Sequence, residues 1–251
     1  MFLQNIFNFK MRTLVIGDIH GGLKALSQVI DRANVATDDT LIFLGDYVDG
    51  WSESAQVIDY LIELNKKQKC IFIKGNHDLW CGRWLTLGAS NPVWEENGGR
   101  ATKESYLATG LLGNVEHKSF FENLKNYYVD EKNRLYIHAG YSSIHGVEKE
   151  EYESNYYFDR TLWEMALVMD ERVKENSLIY PKRLKHYAEI YIGHTPTTNY
   201  DQDIPMNSMN VWNIDTGAAF KGKLSVLDIE TKAFWQSDRL IDLYKNERGR
   251  N

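Results

Sequence analysis

The hydrophobic and polar positions of the chain repeat one arrangement five times. Each time, a short apolar run ends close to a glycine and to a polar residue of a type that binds cations. Short apolar runs rich in β-branched residues predict buried strands. The predicted strands cover residues 14–16, 40–44, 70–74, 134–137 and 190–192.

Apolar residues at helical spacing fill the intervals between the first three predicted strands. Residues 23–33 place Leu23, Leu26 and Ile30 on one stripe, and residues 52–65 form a second helix of this kind. A strand–helix–strand–helix–strand order predicts a parallel sheet with right-handed crossovers. We therefore expect the polar residues that follow the strands to gather at the carboxyl edge of the sheet, where open α/β sheets bind ligands.

The pattern changes between residues 79 and 126, where tryptophans are spread among short helical pieces broken by glycines and a proline. We predict a helical insertion that caps the site and whose tryptophans pack within the cap. Stacking on a substrate is the alternative, and Trp94 is the best candidate for it. Further along, the pattern predicts a hairpin over 127–137 and helical structure over 147–185, with its clearest helix at 158–169. Late strands are predicted at 211–217, 223–229 and 233–236, and the last two of these pair in a hairpin.

Composition narrows the class of protein. The 251 residues are 43% hydrophobic and 25% charged, as in ordinary globular domains, and the net charge of −6 disfavours long nucleic acid as a partner. No apolar run approaches the roughly 20 residues of a membrane span, and Cys70 and Cys81 form no disulfide framework. We expect a cytoplasmic protein without a membrane role, whose oligomeric state is open.

A single domain is expected over residues 11–240. Residues 1–10 lead directly into the first strand and are interpreted as an extension, either frayed or docking as a small apolar arm. Residues 241–251 form a polar tail whose charged part, from Lys245, is expected to be mobile.

The polar residues beside the glycines form five ordered motifs. They are G-D-I-H-G from Gly17, G-D-Y-V-D-G from Gly45, G-N-H-D from Gly75, H-A-G from His138 and G-H-T from Gly193. In this order they resemble the calcineurin-like metallophosphoesterases, most closely the bacterial and phage branch of the phosphoprotein phosphatases, which also includes symmetrical dinucleoside tetraphosphatases. The resemblance spans residues 13–229. It implies an α/β fold of the αββα type, a β-sandwich flanked by helices, with the insertion as a helical cap.

The resemblance also implies a centre of two divalent metal ions. In extended backbone Asp18 and His20 point to the same face, so they can hold one ion together. Asp46 would bridge the two ions. Because the donors mix nitrogen and oxygen atoms, manganese is preferred, and iron, zinc or nickel are alternatives. The implied ligands are Asp18, His20 and Asp46 for the first ion, with Asn76, His138 and His194 completing the second.

Two further residues are assigned to catalysis. His77 follows Asn76 directly, so it is expected at the rim of the site as the general acid for the leaving oxygen. Asp49, by resemblance to the family, orients this imidazole and keeps it protonated. Asp78 is interpreted as a cap of the segment that follows it.

One position departs from the family pattern. Phosphoprotein phosphatases usually continue the second motif with an arginine that grips phosphate, whereas this chain has Gly50. An arginine from elsewhere in the chain, or a different substrate, would account for the change. The candidates are Arg83, Arg100 and Arg160, each with an ordinary surface salt bridge as the alternative.

These residues predict a metal-dependent phosphoric ester hydrolase. The favoured reaction is hydrolysis of phosphomonoesters by metal-activated water, on phosphoserine, phosphothreonine or phosphotyrosine proteins or on small phosphorylated molecules. The alternatives are a symmetrical dinucleoside tetraphosphatase or phosphodiesterase and, from another class, an inactive metal-binding scaffold. The intact ligand motifs argue against the scaffold.

Overall fold

The computed structural model of the chain describes residues 11–250. The strands of this part are β1 (Thr13–Ile16), β2 (Thr40–Phe43), β3 (Cys70–Phe72), β4 (Tyr127–Val129), β5 (Arg134–Ile137), β6 (Glu189–Ile192), β7 (Met206–Ser208), β8 (Val211–Asn213), β9 (Ser225–Asp228) and β10 (Phe234–Gln236). They form two five-stranded sheets, in the orders β10-β9-β1-β2-β3 and β4-β5-β6-β8-β7. The resemblance-based prediction of a sandwich is confirmed.

Helices cover the outer faces of the two sheets. They are α1 (Leu23–Arg32), α2 (Ser54–Asn65), α3 (Asn76–Leu87), α4 (Pro92–Trp94), α5 (Arg100–Thr109), α6 (Val115–Glu122), α7 (Asn155–Phe158), α8 (Thr161–Leu167), α9 (Lys182–Lys185) and α10 (Leu240–Leu243). No helix among residues 11–250 is both long enough and apolar enough to cross a membrane.

Strand alternation explains why the sheets pack against each other and against helices. Leu14 and Ile16 of β1 belong to the core shared with α1 and α2, whereas Val15 between them faces the second sheet. That inner layer includes Tyr136 and Tyr191, whose rings stack with centroids 5.1 Å apart. Both faces of each central strand are therefore buried, as in the αββα arrangement.

The parallel strands decide where the site lies. β1, β2 and β3 are parallel in one sheet, and β5, β6 and β8 are parallel in the other. The predicted hairpins β4–β5 and β9–β10 are antiparallel and lie at the outer edges of the sheets. The six parallel strands deliver the residues after their carboxyl ends to the rim where the two sheets meet.

Several sequence-based details need correction. The helix predicted over 158–169 is divided, because the Asp159 side chain accepts hydrogen bonds from the N–H groups of Thr161 and Leu162 and so starts a new helix. Most of 147–185 is irregular, and β7 was missed altogether. The first ten residues lie outside the described range.

The tail beyond residue 240 is packed on the domain instead of extending from it as a mobile segment. Tyr244 is only 2% exposed, and its ring stacks on Trp51 with centroids 5.1 Å apart. The Glu247 carboxylate accepts hydrogen bonds from the backbone and hydroxyl of Ser52. Aromatic burial and these hydrogen bonds were invisible in the charged composition from which mobility was predicted.

Candidate metal centre

Six ligand-type side chains converge where the parallel strands end. Asp18 follows β1, Asp46 follows β2, Asn76 follows β3, His138 follows β5 and His194 follows β6. His20 lies two residues after Asp18. All of these residues except His194 are buried, with 5% exposure or less. Residues that follow the strands of both sheets thus form one cluster.

Asp46 lies at the centre of the cluster. Its Oδ2 is 3.6 Å from Nε2 of His20 and 3.4 Å from Nε2 of His138. It belongs to two groups of possible ligands, one with His20 and His77 and one with His138 and His194, and within each group the ligand atoms lie within 4.8 Å of one another. A carboxylate shared by two groups can bridge two cations.

The remaining residues join these two groups. Asn76 Oδ1 is 3.3 Å from Nε2 of His138 and 3.1 Å from Nδ1 of His194. The Asp18 carboxylate accepts the backbone N–H of His194 at 3.1 Å and lies 3.9 Å from Nε2 of His20. The residues that the sequence assigned to a metal centre are therefore brought within contact of one another.

The orientation of the imidazoles fits a cation. Nδ1 of His20 is 2.9 Å from the carbonyl oxygen of Asp49, and Nδ1 of His138 is 2.8 Å from that of Leu44. A carbonyl accepts only from a protonated nitrogen, so Nε2 of each ring is the lone-pair nitrogen when the imidazole is neutral, and it faces Asp46. These second contacts are the ones that commonly orient metal-binding histidines, and the donor set fits divalent cations.

The backbone around the cluster is held in unusual conformations. His20, Asp46, Asp49 and His194 all have positive φ, between 51° and 73°. Such conformations cost about 1–3 kcal/mol for residues other than glycine and concentrate at functional sites. The neighbouring loops must also approach closely, since a Cβ on Gly75 would lie 2.1 Å from Asp46 Oδ1.

Burial and mutual charge set the protonation of the cluster. Burial alone would raise the pKa of Asp46, but the nearby imidazoles of His138 and His77 more than offset it and hold that pKa well below its usual range. Burial lowers the pKa of His138, and the charge of Asp46 reverses this and raises it to about 10. Burial lowers the pKa of His20 and of His194. The centre therefore attracts positive charge around Asp46 and keeps the outer imidazoles neutral.

His77 and Asp49 form a buried pair beside the cluster. Nδ1 of His77 lies 2.7 Å from Oδ2 of Asp49. The same carboxylate accepts the indole N–H of Trp94 at 2.6 Å and the hydroxyl of Thr102 at 2.6 Å. Asp49 is fully buried, so its charge is balanced by these three donors and its position is fixed by the insertion.

Trp94 packs within the insertion and offers no surface for stacking on a substrate. It is fully buried, and its ring packs against Trp84 and donates to Asp49. No face of this ring is open to a substrate. The cap-packing alternative is the one that describes its position.

Asp78 lies in the first turn of α3, where its side chain caps the start of that helix, and it also holds the second motif. Its carboxylate accepts N–H groups from Gly75 at 2.8 Å, Asp46 at 2.7 Å and Tyr47 at 2.9 Å. Burial, followed by the charge of Asp46, raises its pKa to about 7. Asp215, after β8, is also buried, and its carboxylate accepts the N–H of Gly217 at 2.9 Å.

The three candidate arginines lie in different places. Arg160 adjoins the cluster, since its Nη1 donates to the Thr195 hydroxyl at 3.1 Å and its charge acts on His194. Arg83 interacts electrostatically with Glu153, and Arg100 does so with Glu95. Of the three, Arg160 is the one that the structure brings to the metal-ligand residues.

An aromatic rim was missed by the sequence analysis. Trp80, which is partly exposed, meets the His77 ring edge-on at a centroid distance of 5.2 Å. Phe158 is 40% exposed and lies 5.8 Å from Trp80 and 6.4 Å from His194. We call Trp80 and Phe158 the aromatic rim. No local motif marks these residues, because they are 78 positions apart in the chain.

Comparison with known proteins agrees with this geometry. The sequence model of the calcineurin-like phosphoesterases matches residues 11–219. Fold, ligand cluster and family match together define a metal-dependent phosphoric ester hydrolase. The chain belongs to the calcineurin-like phosphoesterase family, and the predicted resemblance is confirmed at this level.

Individual relatives cover most of the chain. It is 26% identical to the bis(5'-nucleosyl)-tetraphosphatase PrpE (asymmetrical) of Oceanobacillus iheyensis, over 89% of this chain and 91% of the relative. It is 27% identical to the protein of the same name from Anoxybacillus flavithermus, over 85% and 88%.

Solved structures share the fold at low identity. A protein serine/threonine phosphatase from Saccharomyces cerevisiae aligns with a TM-score of 0.57 at 13% identity, over 91% of this chain and 80% of that one. A cold-active protein-tyrosine phosphatase from a Shewanella species aligns with a TM-score of 0.54 at 15% identity, over 91% and 81%. At such identities the likeness establishes the fold alone.

Proposed function

We propose that this protein hydrolyses bis(5'-nucleosyl) tetraphosphates, with asymmetrical cleavage. The observation that carries the proposal is the aromatic rim beside His77 and His194, which offers a nucleobase two partly exposed rings to stack on. The two relatives described above, of which this chain covers about nine-tenths, are named for the same substrate and so support the proposal. Asymmetrical cleavage differs from the symmetrical reaction weighed in the sequence analysis.

Two divalent ions are proposed as cofactors, with manganese preferred. Asp18, His20 and Asp46 would hold one ion, and Asp46 with Asn76, His138 and His194 would hold the other. When bound, such ions polarise the phosphoryl group and lower the pKa of water. The protein's part is to hold these ligands in place through the strained loops and the backbone contacts described above.

His77 is proposed as the general acid and Asp49 as the residue that positions it. With Nδ1 of His77 directed at the Asp49 carboxylate, the proton on Nε2 is the one available for a leaving oxygen. The proton lost to the leaving group is then regained from solvent. Arg160 is proposed to contact the phosphate chain from the His194 side, since its charge already acts there.

A phosphomonoesterase acting on phosphoproteins is the second candidate. The buried Asp49–His77 pair favours it, because a serine or threonine alkoxide needs a proton to leave, whereas a nucleotide is a stable anion. The scaffold alternative has no comparable support, since the candidate ligands and the Asp49–His77 pair are all present in the cluster.

A comparison of hydrolysis rates on three substrates distinguishes the candidate functions. The manganese-loaded protein is assayed on diadenosine tetraphosphate, a phosphoserine peptide and a bis-aryl phosphodiester, and products are separated by anion exchange. Equal amounts of ATP and AMP are expected. Formation of ADP alone would show symmetrical cleavage, and a preference for the peptide would replace the proposal with the phosphatase candidate.

The aromatic rim provides a second test. Trp80→Ala and Phe158→Ala are expected to raise KM for diadenosine tetraphosphate roughly tenfold, the effect of one lost base stack, and to leave KM for the peptide unchanged. Phe234→Ala is a matched control, because Phe234 is also 40% exposed but lies on β10. Equal losses on both substrates would mean that the rim supports the site without binding a base.

A further inference from the structure

The space beside Gly50 is filled by a distant residue. Gly50 has φ of +125°, and a Cβ built on it would lie 3.3 Å from Cγ of Arg250. A Cβ on Gly98 of the insertion would lie 3.2 Å from the same Cγ and 2.7 Å from the backbone nitrogen of Gly50. The aliphatic part of Arg250 therefore packs against two neighbouring glycines, at the last position of the second motif.

The segment that carries Arg250 is docked at several points. Its backbone N–H donates to the carbonyl of Ala219 at 2.9 Å. Three residues earlier, Glu247 accepts two hydrogen bonds from Ser52, and the buried Tyr244 anchors the start of the segment. The arginine is thus held against the loop of the second motif by its own backbone and by the residues before it.

The Arg250 guanidinium is only partly satisfied by the protein. Nη2 donates to Asn97 Oδ1 at 3.2 Å, and Cζ lies 5.3 Å from the centroid of the Phe220 ring. Nε is buried without a hydrogen-bond partner, and Arg250 makes no ion pair with a carboxylate between residues 11 and 250. A buried N–H that lacks an acceptor is costly, so this donor suits an acceptor that arrives with a ligand.

Arg250 lies beside the metal-ligand cluster. A Cβ on Gly50 would lie 3.3 Å from Cγ of Arg250 and 3.6 Å from Cβ of His20. The arginine stem and the His20 side chain therefore border the same small space next to Gly50.

We propose that Arg250 binds a phosphoryl oxygen of the substrate and supplies, from a distant segment, the cation that Gly50 lacks. Guanidinium is the group best suited to phosphate oxygens, since it carries several donors and a permanent charge. A Cβ at Gly50 or Gly98 would crowd the stem of the arginine, at 3.3 and 3.2 Å from its Cγ, and a Cβ at Gly98 would also collide with the backbone nitrogen of Gly50 at 2.7 Å. The proposal needs only the phosphoric-ester chemistry of the family and is independent of the nucleotide substrate proposed above.

Inorganic phosphate is the probe, so that binding is measured apart from turnover. Arg250→Met keeps an aliphatic stem against Gly50 and Gly98 and removes the charge. Arg250→Lys keeps the charge without the planar guanidinium. Calorimetric titration of the manganese-loaded full chain is expected to show at least a roughly tenfold weaker phosphate affinity for Arg250→Met, the effect of a lost charge-assisted hydrogen bond. Arg250→Lys should lie between Arg250→Met and the unaltered protein.

The control separates binding from packing. Arg172→Ala removes an arginine whose side chain is 90% exposed, and it should leave phosphate affinity and melting temperature unchanged. Metal content, measured by mass spectrometry, should be equal in all variants. If Arg250→Met binds phosphate as the unaltered protein does, the proposal is overturned and the arginine only fills space. If phosphate binding falls while diadenosine tetraphosphate is not hydrolysed by any form, the nucleotide proposal fails and that for Arg250 stands.

Discussion

Asp49→Asn tests the proposed catalytic pair most directly, because it keeps the shape of the side chain and removes its charge. The fully buried carboxylate accepts hydrogen bonds from His77, Trp94 and Thr102. An asparagine has one acceptor oxygen and a donating amide, so at least one of these donors loses its partner. Each hydrogen bond to a charged group contributes about 1.5–3 kcal/mol, and we expect the free energy of unfolding to fall by about 3 kcal/mol.

The effect on catalysis should depend on the leaving group. Without the Asp49 carboxylate, the His77 ring loses the acceptor that holds it in position, and general acid catalysis of this kind contributes roughly 10²–10⁴-fold. An alkoxide needs this proton, whereas a nitrophenolate leaves without it. We expect kcat of the manganese-loaded variant to fall about 100-fold on an alkyl phosphate and far less on p-nitrophenyl phosphate.

A control variant isolates the charge. Trp94→Phe removes one donor to Asp49 and keeps the carboxylate, so it should cost about 1.5–3 kcal/mol of stability and leave the contrast between the two substrates unchanged. Equal losses on the alkyl and nitrophenyl substrates would refute the role of Asp49 in proton delivery. Loss of bound manganese from Asp49→Asn would place this carboxylate among the metal ligands instead.

Three other predictions concern metal binding and stability. Asp46→Asn should remove at least one metal ion, and unchanged metal content by mass spectrometry would contradict the bridge. His117→Ala should lower the free energy of unfolding by about 2–3 kcal/mol, measured by urea denaturation, because the buried imidazole bonds to Tyr106 within the insertion and to Asp59 of α2. An unchanged midpoint would contradict this. Hydrogen bonds from Lys132 and Arg134 lower the pKa of Glu230 to about 2. The resulting stabilisation, about 1 kcal/mol after allowance for exposure, is present above pH 4.5 and is lost as pH falls towards 2, so the difference in melting temperature from Glu230→Gln should vanish across that range.

The sequence could predict the metal-ligand cluster because its signal is local. Each ligand lies within a few residues of a glycine and a strand end, and parallel strands bring such ends together whatever the intervening residues are. The order of strands and helices likewise predicted the crossovers, and short apolar runs separated by turns predicted both hairpins. Hydrophobic alternation alone did not reveal that the strands form two sheets, and that part came from the family resemblance.

The remaining features depend on contacts between distant residues. Arg250 and Gly50 are 200 positions apart, and Trp80 and Phe158 belong to different segments of the chain. His117 is fully buried, and a polar residue on a short helix gives no sign in the sequence of the partner that it will meet. Residue type sets which chemistry a side chain can do, and only tertiary packing decides whether it does so at the site.

The loop of the second motif connects these two kinds of information. Asp46 and Asp49 both have positive φ, at about 1–3 kcal/mol each, so the surrounding structure must hold the loop in place. Asp78 accepts its N–H groups from one side, Thr102 of the insertion binds Asp49 from another, and the segment of Glu247 closes over Ser52. The insertion and the distant segment therefore help to hold this loop in its conformation. Because the proposed substrate contacts, Trp80, Phe158 and Arg250, lie outside the five motifs, the motifs alone identify the chemistry and leave the substrate open.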